Sequence, residues 1–240
     1  MSVNYNSIYL EYANTEKKDV AGDTREQYQK NCKERTSVME RYGWLTTPVT
    51  YTFNSHGFRC EEFTDDPSIM FLGCSFTFGL GVPNENIWPT LVAQNLGLKS
   101  VNLGQAGGSH DAAFRLCHRW IEQIKPKICI LLSPPIYRIE VIEPDMITFF
   151  TTSRIQKDKF SEFYNAWLST ETNSQMNALK NTLAIENLCI KNGTKFIKYD
   201  STDFKRLDWA RDLGHPGVIS HRELASKILK LVEAEGIEPF

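Results

Sequence analysis

An excess of charge of either sign is missing from this 240-residue chain: 27 Lys and Arg stand against 29 Asp and Glu, a formal net charge of −2. Nucleic-acid binders carry a basic surplus that displaces condensed counterions, and a polybasic membrane surface shows the same bias. Neither partner is expected. No stretch reaches the roughly 18 consecutive apolar residues of a membrane span, and the opening residues MSVNYNSIYLEYANTEKK lack the charged start and apolar run of a secretory signal. These absences predict a cytoplasmic location and no membrane contact. The six cysteines, Cys32, Cys60, Cys74, Cys117, Cys129 and Cys189, contain no Cys-x-x-Cys pair, which disfavours a zinc site or a small disulfide scaffold. His110 and His118 are eight residues apart, too far for one ion, so no metal is expected. No Gly-x-Gly-x-x-Gly opens a helix and no Gly-Lys-Ser/Thr occurs, so dinucleotide and P-loop sites are excluded and no cofactor is expected.

What is present is an ordinary core-forming composition, 41% hydrophobic and 12% aromatic, which suits a folded domain and not a disordered chain. Short apolar runs at 68–72, 100–103, 127–133 and 194–199 read as strands buried on both faces. Between them lie helical patterns. Ile87, Leu91, Val92 and Leu96 stop at Gly97; Ala113, Leu116, Cys117, Trp120, Ile121 and Ile124 stop before Pro126. Met176, Leu179, Leu183 and Leu188 stop at Asn192-Gly193, and Leu224, Ala225, Ile228, Leu229 and Val232 stop before Gly236. Alternating strand and helix predicts an α/β fold, a three-layer α/β/α sandwich around a parallel sheet of about five strands. The main domain is expected over 68–240. Residues 1–67 read as a polar arm whose apolar residues, Tyr28, Val38, Met39, Tyr42 and Trp44, either pack on that domain or mediate oligomerisation.

In such a fold, sites form outside the carboxyl ends of the strands. The first strand is followed by Gly73-Cys74-Ser75-Phe76-Thr77-Phe78-Gly79, where small residues allow a tight turn that exposes a nucleophile. The second is followed by Asn102-Leu103-Gly104-Gln105-Ala106-Gly107-Gly108-Ser109, whose free N–H groups suit an anion or oxyanion. Asp212-Leu213-Gly214-His215-Pro216 precedes the last helix, with an Asp three residues before a His, a spacing that lets the carboxylate fix the imidazole. Each block alone is also what a structural turn looks like.

Their order resembles the SGNH, or GDSL-like, hydrolase family. The resemblance covers about residues 68–232 and implies a serine ester hydrolase of flavodoxin-like topology. It makes Ser75 the nucleophile, His215 the base, Asp212 the orienting acid, and the N–H groups of Ser75 and Gly107 an oxyanion hole. A small-molecule or carbohydrate ester is the implied substrate, with an acetyl group on a sugar favoured. Two departures stand out: Cys74 replaces the Asp of the first block, and Ser133-Pro134-Pro135-Ile136-Tyr137-Arg138 replaces a block with an oxyanion Asn, Pro135 falling near that Asn. Loss of one such donor costs roughly 10² to 10³ in kcat. Arg138 and Tyr137 are therefore candidate substrate-binding groups. The alternatives are Cys74 as a thiol nucleophile, or a binding or structural module that keeps the fold without the chemistry. Phe76, Phe78, Trp88 and Trp209 read as core or rim packing, His221 as a surface or packing residue, and His56 as part of a turn that docks the arm.

Overall fold

The structure, a computed structural model, describes residues 6–143, 146–150, 161–168 and 170–236. The segment ahead of Ser68 forms β1 (Glu16–Lys17), α1 (Arg25–Glu34), α2 (Thr36–Arg41) and β2 (Tyr51–Thr52), with β1 antiparallel to β2. Thr24 starts α1, its hydroxyl accepting the N–H of Gln27. The alternating region follows as β3 (Ser68–Leu72), α3 (Ser75–Phe78), α4 (Trp88–Leu96), β4 (Lys99–Asn102), α5 (His110–Ile124) and β5 (Ile128–Ser133). Then come an antiparallel hairpin, β6 (Ile139–Glu143) and β7 (Met146–Phe150), and α6 (Ser161–Leu168), α7 (Glu171–Lys191), β8 (Lys195–Asp200) and α8 (Val218–Ala234).

The central sheet is parallel throughout, in the order β4-β3-β5-β8. Among the described residues it has four strands, in keeping with the expected sheet of about five. The four strands coincide with the four apolar runs of the sequence. Alternation along them divides the core into two layers. Ile69, Phe71, Ile128, Ile130 and Leu132 face α4 and α8 through Trp88, Val92, Leu96, Leu224 and Ile228. Met70, Leu72, Cys129 and Leu131 face α5 and α7 through Leu116, Trp120, Ile121, Ile185 and Cys189. The architecture is thus α/β/α.

One helix face differs from its sequence pattern. Met176, Leu179 and Leu183 of α7 are about half exposed, while Ser174, Asn177, Ala178, Ile185 and Cys189 are buried. Polar pairing sets this rotation: Asn177 and Asn181 both donate to Asp111 Oδ1 on α5, at 3.0 and 2.8 Å.

The arm packs on the same chain. Tyr9, Val20, Met39, Trp44, Val49, Tyr51 and Phe53 form a third apolar cluster with Phe78 and Leu80, directly beneath the turn after β3. Each fully buried large apolar side chain contributes roughly 1.5–3 kcal/mol, so this contact fixes the arm firmly against the carboxyl end of the sheet.

Candidate active site

The turn after β3 is set by sterics. Gly73 has φ 155°, and a Cβ there would lie 2.2 Å from Thr77 Oγ1 and 2.9 Å from the Leu132 carbonyl oxygen, a space only glycine fits. Cys74 is extended, its carbonyl accepts the N–H groups of Thr77 and Phe78, and Ser75 becomes the first residue of the short α3. Asn102, at the end of β4, clamps this turn to the next: its Nδ2 donates to the Thr77 carbonyl at 2.8 Å and its Oδ1 accepts the Gly104 N–H at 3.0 Å. From below, the buried Arg59 guanidinium donates to the carbonyls of Phe78, Gly79, Thr50 and Val82. Burial pulls its pKa down to about 10, so it remains a cation at neutral pH, suited to the carbonyl end of α3.

The loop before α8 is closed by a bridge between Trp209 and Pro216 and by the Ala210 N–H donating to the His215 carbonyl. Within it, Asp212 Oδ1 accepts the His215 backbone N–H at 3.1 Å, and Asp212 Oδ2 lies 2.5 Å from His215 Nδ1. His215 Nε2 lies 2.9 Å from Ser75 Oγ. An ionised carboxylate only accepts, so the ring proton belongs on Nδ1 and Nε2 is left to accept from the Ser75 hydroxyl. Asp208 anchors the loop by accepting the N–H groups of Ile219 and Ser220 at the start of α8, which satisfies two donors that a helix end leaves unpaired.

The arm grips the same loop. The Arg211 guanidinium pairs with the fully buried Asp23, 2.7 Å from Nη2 to Oδ2, and also donates to the carbonyls of Lys18 and Val49. The Tyr51 hydroxyl donates to Asp23 and accepts the Gly81 N–H. The Trp44 indole N–H reaches the Trp209 carbonyl at 2.8 Å. Phe76 meets the His215 ring edge to face, with centroids 5.8 Å apart.

Ser75 and His215 open into a cavity of about 550 Å³ whose walls include Gly107, Arg138, Phe149 and, from the arm, Tyr9 and Tyr12. Cys74 and Tyr137 do not line it. The backbone N–H groups of Ser75 and Gly107 make no hydrogen bond among the described residues, and Gly107, at φ 80°, packs against Phe149. Pro135 starts a turn, its carbonyl accepting the Arg138 N–H at 3.2 Å, that returns Arg138 to the cavity. Tyr137 sits at the surface beside it and offers its carbonyl to the Tyr164 hydroxyl.

The structure thus brings together Ser75, Asp212, His215, Gly107 and Arg138. Other histidines serve elsewhere. His221 is buried, its Nδ1 accepting the Trp88 N–H, and burial pulls its pKa down to about 3. His110 is buried against Ser133, 2.8 Å from Nε2 to Oγ, and is pulled down to about 4. His56 stacks on Phe63 and meets Trp120 at a tilt. Sequence reasoning missed the Asp23–Arg211 pair, although Arg211 adjoins Asp212, and also Arg59 and the wall that the arm supplies. It also missed a buried cluster in which the sulfurs of Cys117, Cys129 and Cys189 all lie within 4.8 Å of one another. These residues come from α5, β5 and α7, so no local spacing announces them. Hydrogen bonds from the other two thiols pull Cys189 down to about 5. Among the described residues this is the one set close enough together to reach a single ion, but Cys117 is pushed up and burial pushes Cys129 up, which keeps both as thiols.

No protein-family model matches the chain, and no curated protein matches it. Several solved structures are similar. An acetyl xylan esterase from the rumen bacterium Butyrivibrio proteoclasticus aligns with TM-score 0.38 and 12% identity over 70% of this chain, which spans 64% of that protein's length. A psychrotrophic esterase from Pseudoalteromonas sp. aligns with TM-score 0.39 and 12% identity, over 70% of this chain and 98% of that one. A member of the lipolytic G-D-S-L family from Veillonella parvula aligns with TM-score 0.37 and 16% identity, over 69% and 98%.

Proposed function

We propose that the protein is a serine ester hydrolase acting through Ser75, His215 and Asp212. The observation that carries this is the chain of hydrogen bonds from Asp212 through both nitrogens of His215 to Ser75 Oγ, ending at a cavity beside two unengaged backbone N–H groups. Ser75 Oγ attacks the ester carbonyl carbon while its proton passes to His215 Nε2, and Asp212 stabilises the imidazolium that forms. The N–H groups of Ser75 and Gly107 receive the oxyanion. Collapse of the intermediate breaks the bond to the alcohol, which leaves with the proton held on Nε2. Water then attacks the acyl-serine, His215 again taking a proton, and the carboxylic acid departs as Ser75 is restored. A small acyl group, such as acetyl on a carbohydrate, is the favoured substrate: the aromatic rings of Tyr9, Tyr12 and Phe149 around the cavity suit a sugar face.

The test compares wild type with Ser75→Ala on 4-nitrophenyl acetate, together with labelling by a fluorophosphonate. Turnover and labelling of Ser75 that both vanish in the variant support the reading. Equal rates with no label on Ser75 would leave a binding or structural module, the reading that the substitution of Pro135 for an oxyanion Asn favours.

A further inference from the structure

Among the described residues, Arg138 is the one arginine or lysine on the cavity wall that holds Ser75 and His215. Its Nε and Nη1 are buried and have no hydrogen-bond partner among the described residues. No ion pair joins it to a carboxylate among the described residues. Glu11, the acidic residue on the same wall, is exposed. Among the described residues the other buried arginines have partners for their terminal nitrogens: both Nη atoms of Arg59 donate to carbonyls, although its Nε too is unpaired, Arg211 pairs with Asp23, and Arg115 pairs with Glu140 at 2.8 Å. A half-buried guanidinium with two of its three nitrogens buried and unpaired favours an anion that can accept from them.

We propose that the substrate of this site is an acidic ester, one that carries a carboxylate close to the scissile bond, and that Arg138 is the residue that binds it. This rests on the esterase reading above and narrows it. The turn that opens at Pro135 serves the same end, because it replaces a short neutral donor with a long cationic one directed into the cavity. Phe149 also lines the cavity and lies against Gly107, so among the described residues recognition of an anion on this wall falls to Arg138. A carboxylate fits equally whether it lies on the acyl or on the alcohol half, and the two are separated by experiment.

The experiment uses two pairs of probes. Mono-4-nitrophenyl glutarate against 4-nitrophenyl pentanoate places the charge on the acyl half; 4-acetoxybenzoate against 4-acetoxybenzamide places it on the alcohol half. Wild type is expected to favour the charged member of one pair by about tenfold or more in kcat/KM, the scale of one charge-assisted hydrogen bond. In Arg138→Met the preference collapses toward unity, mainly through KM, and Arg138→Lys restores part of it. A wild type without preference in either pair overturns the proposal. So does an Arg138→Met protein that loses equally on charged and neutral members, the pattern of an oxyanion or structural role. Calorimetry on Ser75→Ala keeps the two readings apart and needs no Arg138 variant to fold. Binding of glutarate or 4-hydroxybenzoate, but not of glutaramide or 4-hydroxybenzamide, supports the anion site even where ester turnover is absent. Failure to bind either carboxylate refutes it even where turnover is present.

Discussion

Arg211 and Asp23, 188 residues apart in the chain, form a buried ion pair with Nη2 2.7 Å from Oδ2, and Arg211 immediately precedes Asp212. The arm thereby holds the loop that carries the acid and base. Removing one partner of a buried pair leaves an uncompensated charge, at a cost of about 3–5 kcal/mol. Asp23→Asn is expected to lose stability on that scale in urea unfolding. The double variant Asp23→Leu, Arg211→Met, which buries no charge, should lose less than Asp23→Asn alone. A double variant less stable than the single one would show that the pair itself, and not the stranded charge, sets the energy.

Asp212 has a different task, and its replacement separates orientation from folding. In Asp212→Asn, Oδ1 still accepts the His215 backbone N–H, but an amide nitrogen facing Nδ1 shifts the ring proton to Nε2, where it blocks acceptance from Ser75. The change costs about 10⁴ in kcat in serine hydrolases of this arrangement. The expected result with 4-nitrophenyl acetate is a loss of that order with a melting temperature close to wild type. Retention of more than a tenth of the activity would remove Asp212 from the proposed triad.

How much of this was legible in the sequence depends on whether the information is local. The blocks around Ser75 and His215 are local: a glycine forced by φ 155° at Gly73, and an Asp whose carboxylate folds back three residues onto its His. Both leave marks in a short window. β3 and β5 were legible because a strand covered on both faces is apolar at nearly every position, whereas the edge strands β4 and β8, half exposed and carrying Lys99 and Lys195, left shorter apolar marks. The buried face of α7 was not, because Asn177 and Asn181 turn it toward Asp111, some 66 and 70 residues away in sequence, against the pull of Met176 and Leu179. The role of the arm was equally hidden. Its apolar residues announce burial, but only the fold supplies the partner, here Phe78, Leu80 and Trp209. Arg138 stood one turn past a strand end, visible as a candidate, while its lack of a counter-ion among the described residues is a property of the fold alone.

Gly107 tests the proposed oxyanion hole. At φ 80° a Cβ costs about 1–2 kcal/mol, and in Gly107→Ala that Cβ would meet Phe149 at 3.4 Å, an ordinary contact. The fold should therefore survive with a modest loss, while any re-aiming of the N–H weakens oxyanion binding. Loss of one such donor costs roughly 10² to 10³ in kcat. The expected variant is folded, slightly destabilised, and slowed by more than tenfold at saturating ester. Unchanged kcat in a folded Gly107→Ala protein would assign the oxyanion to other donors.

Stability should fall on mild acidification for a reason distinct from catalysis. His221 and His110 are held neutral by burial, at about 3 and about 4 against an ordinary value of 6.5. The unfolded chain takes up protons on both from about pH 6.5 downward, and the folded chain does not. Their contribution is therefore complete above that pH and drains away as pH falls toward the folded values. At pH 5.5, one unit below the ordinary value, each costs about 1.4 kcal/mol. His221→Asn keeps an acceptor within reach of the Trp88 N–H without titrating in this range. Urea unfolding at pH 7.5 and 5.5 should show a smaller drop for this variant than for wild type, by about the share of one histidine. Every carboxylate is common to both proteins, so the difference between the two drops isolates His221. Identical drops would mean that the imidazole is protonated in the folded protein, and the Trp88 N–H would then need another acceptor.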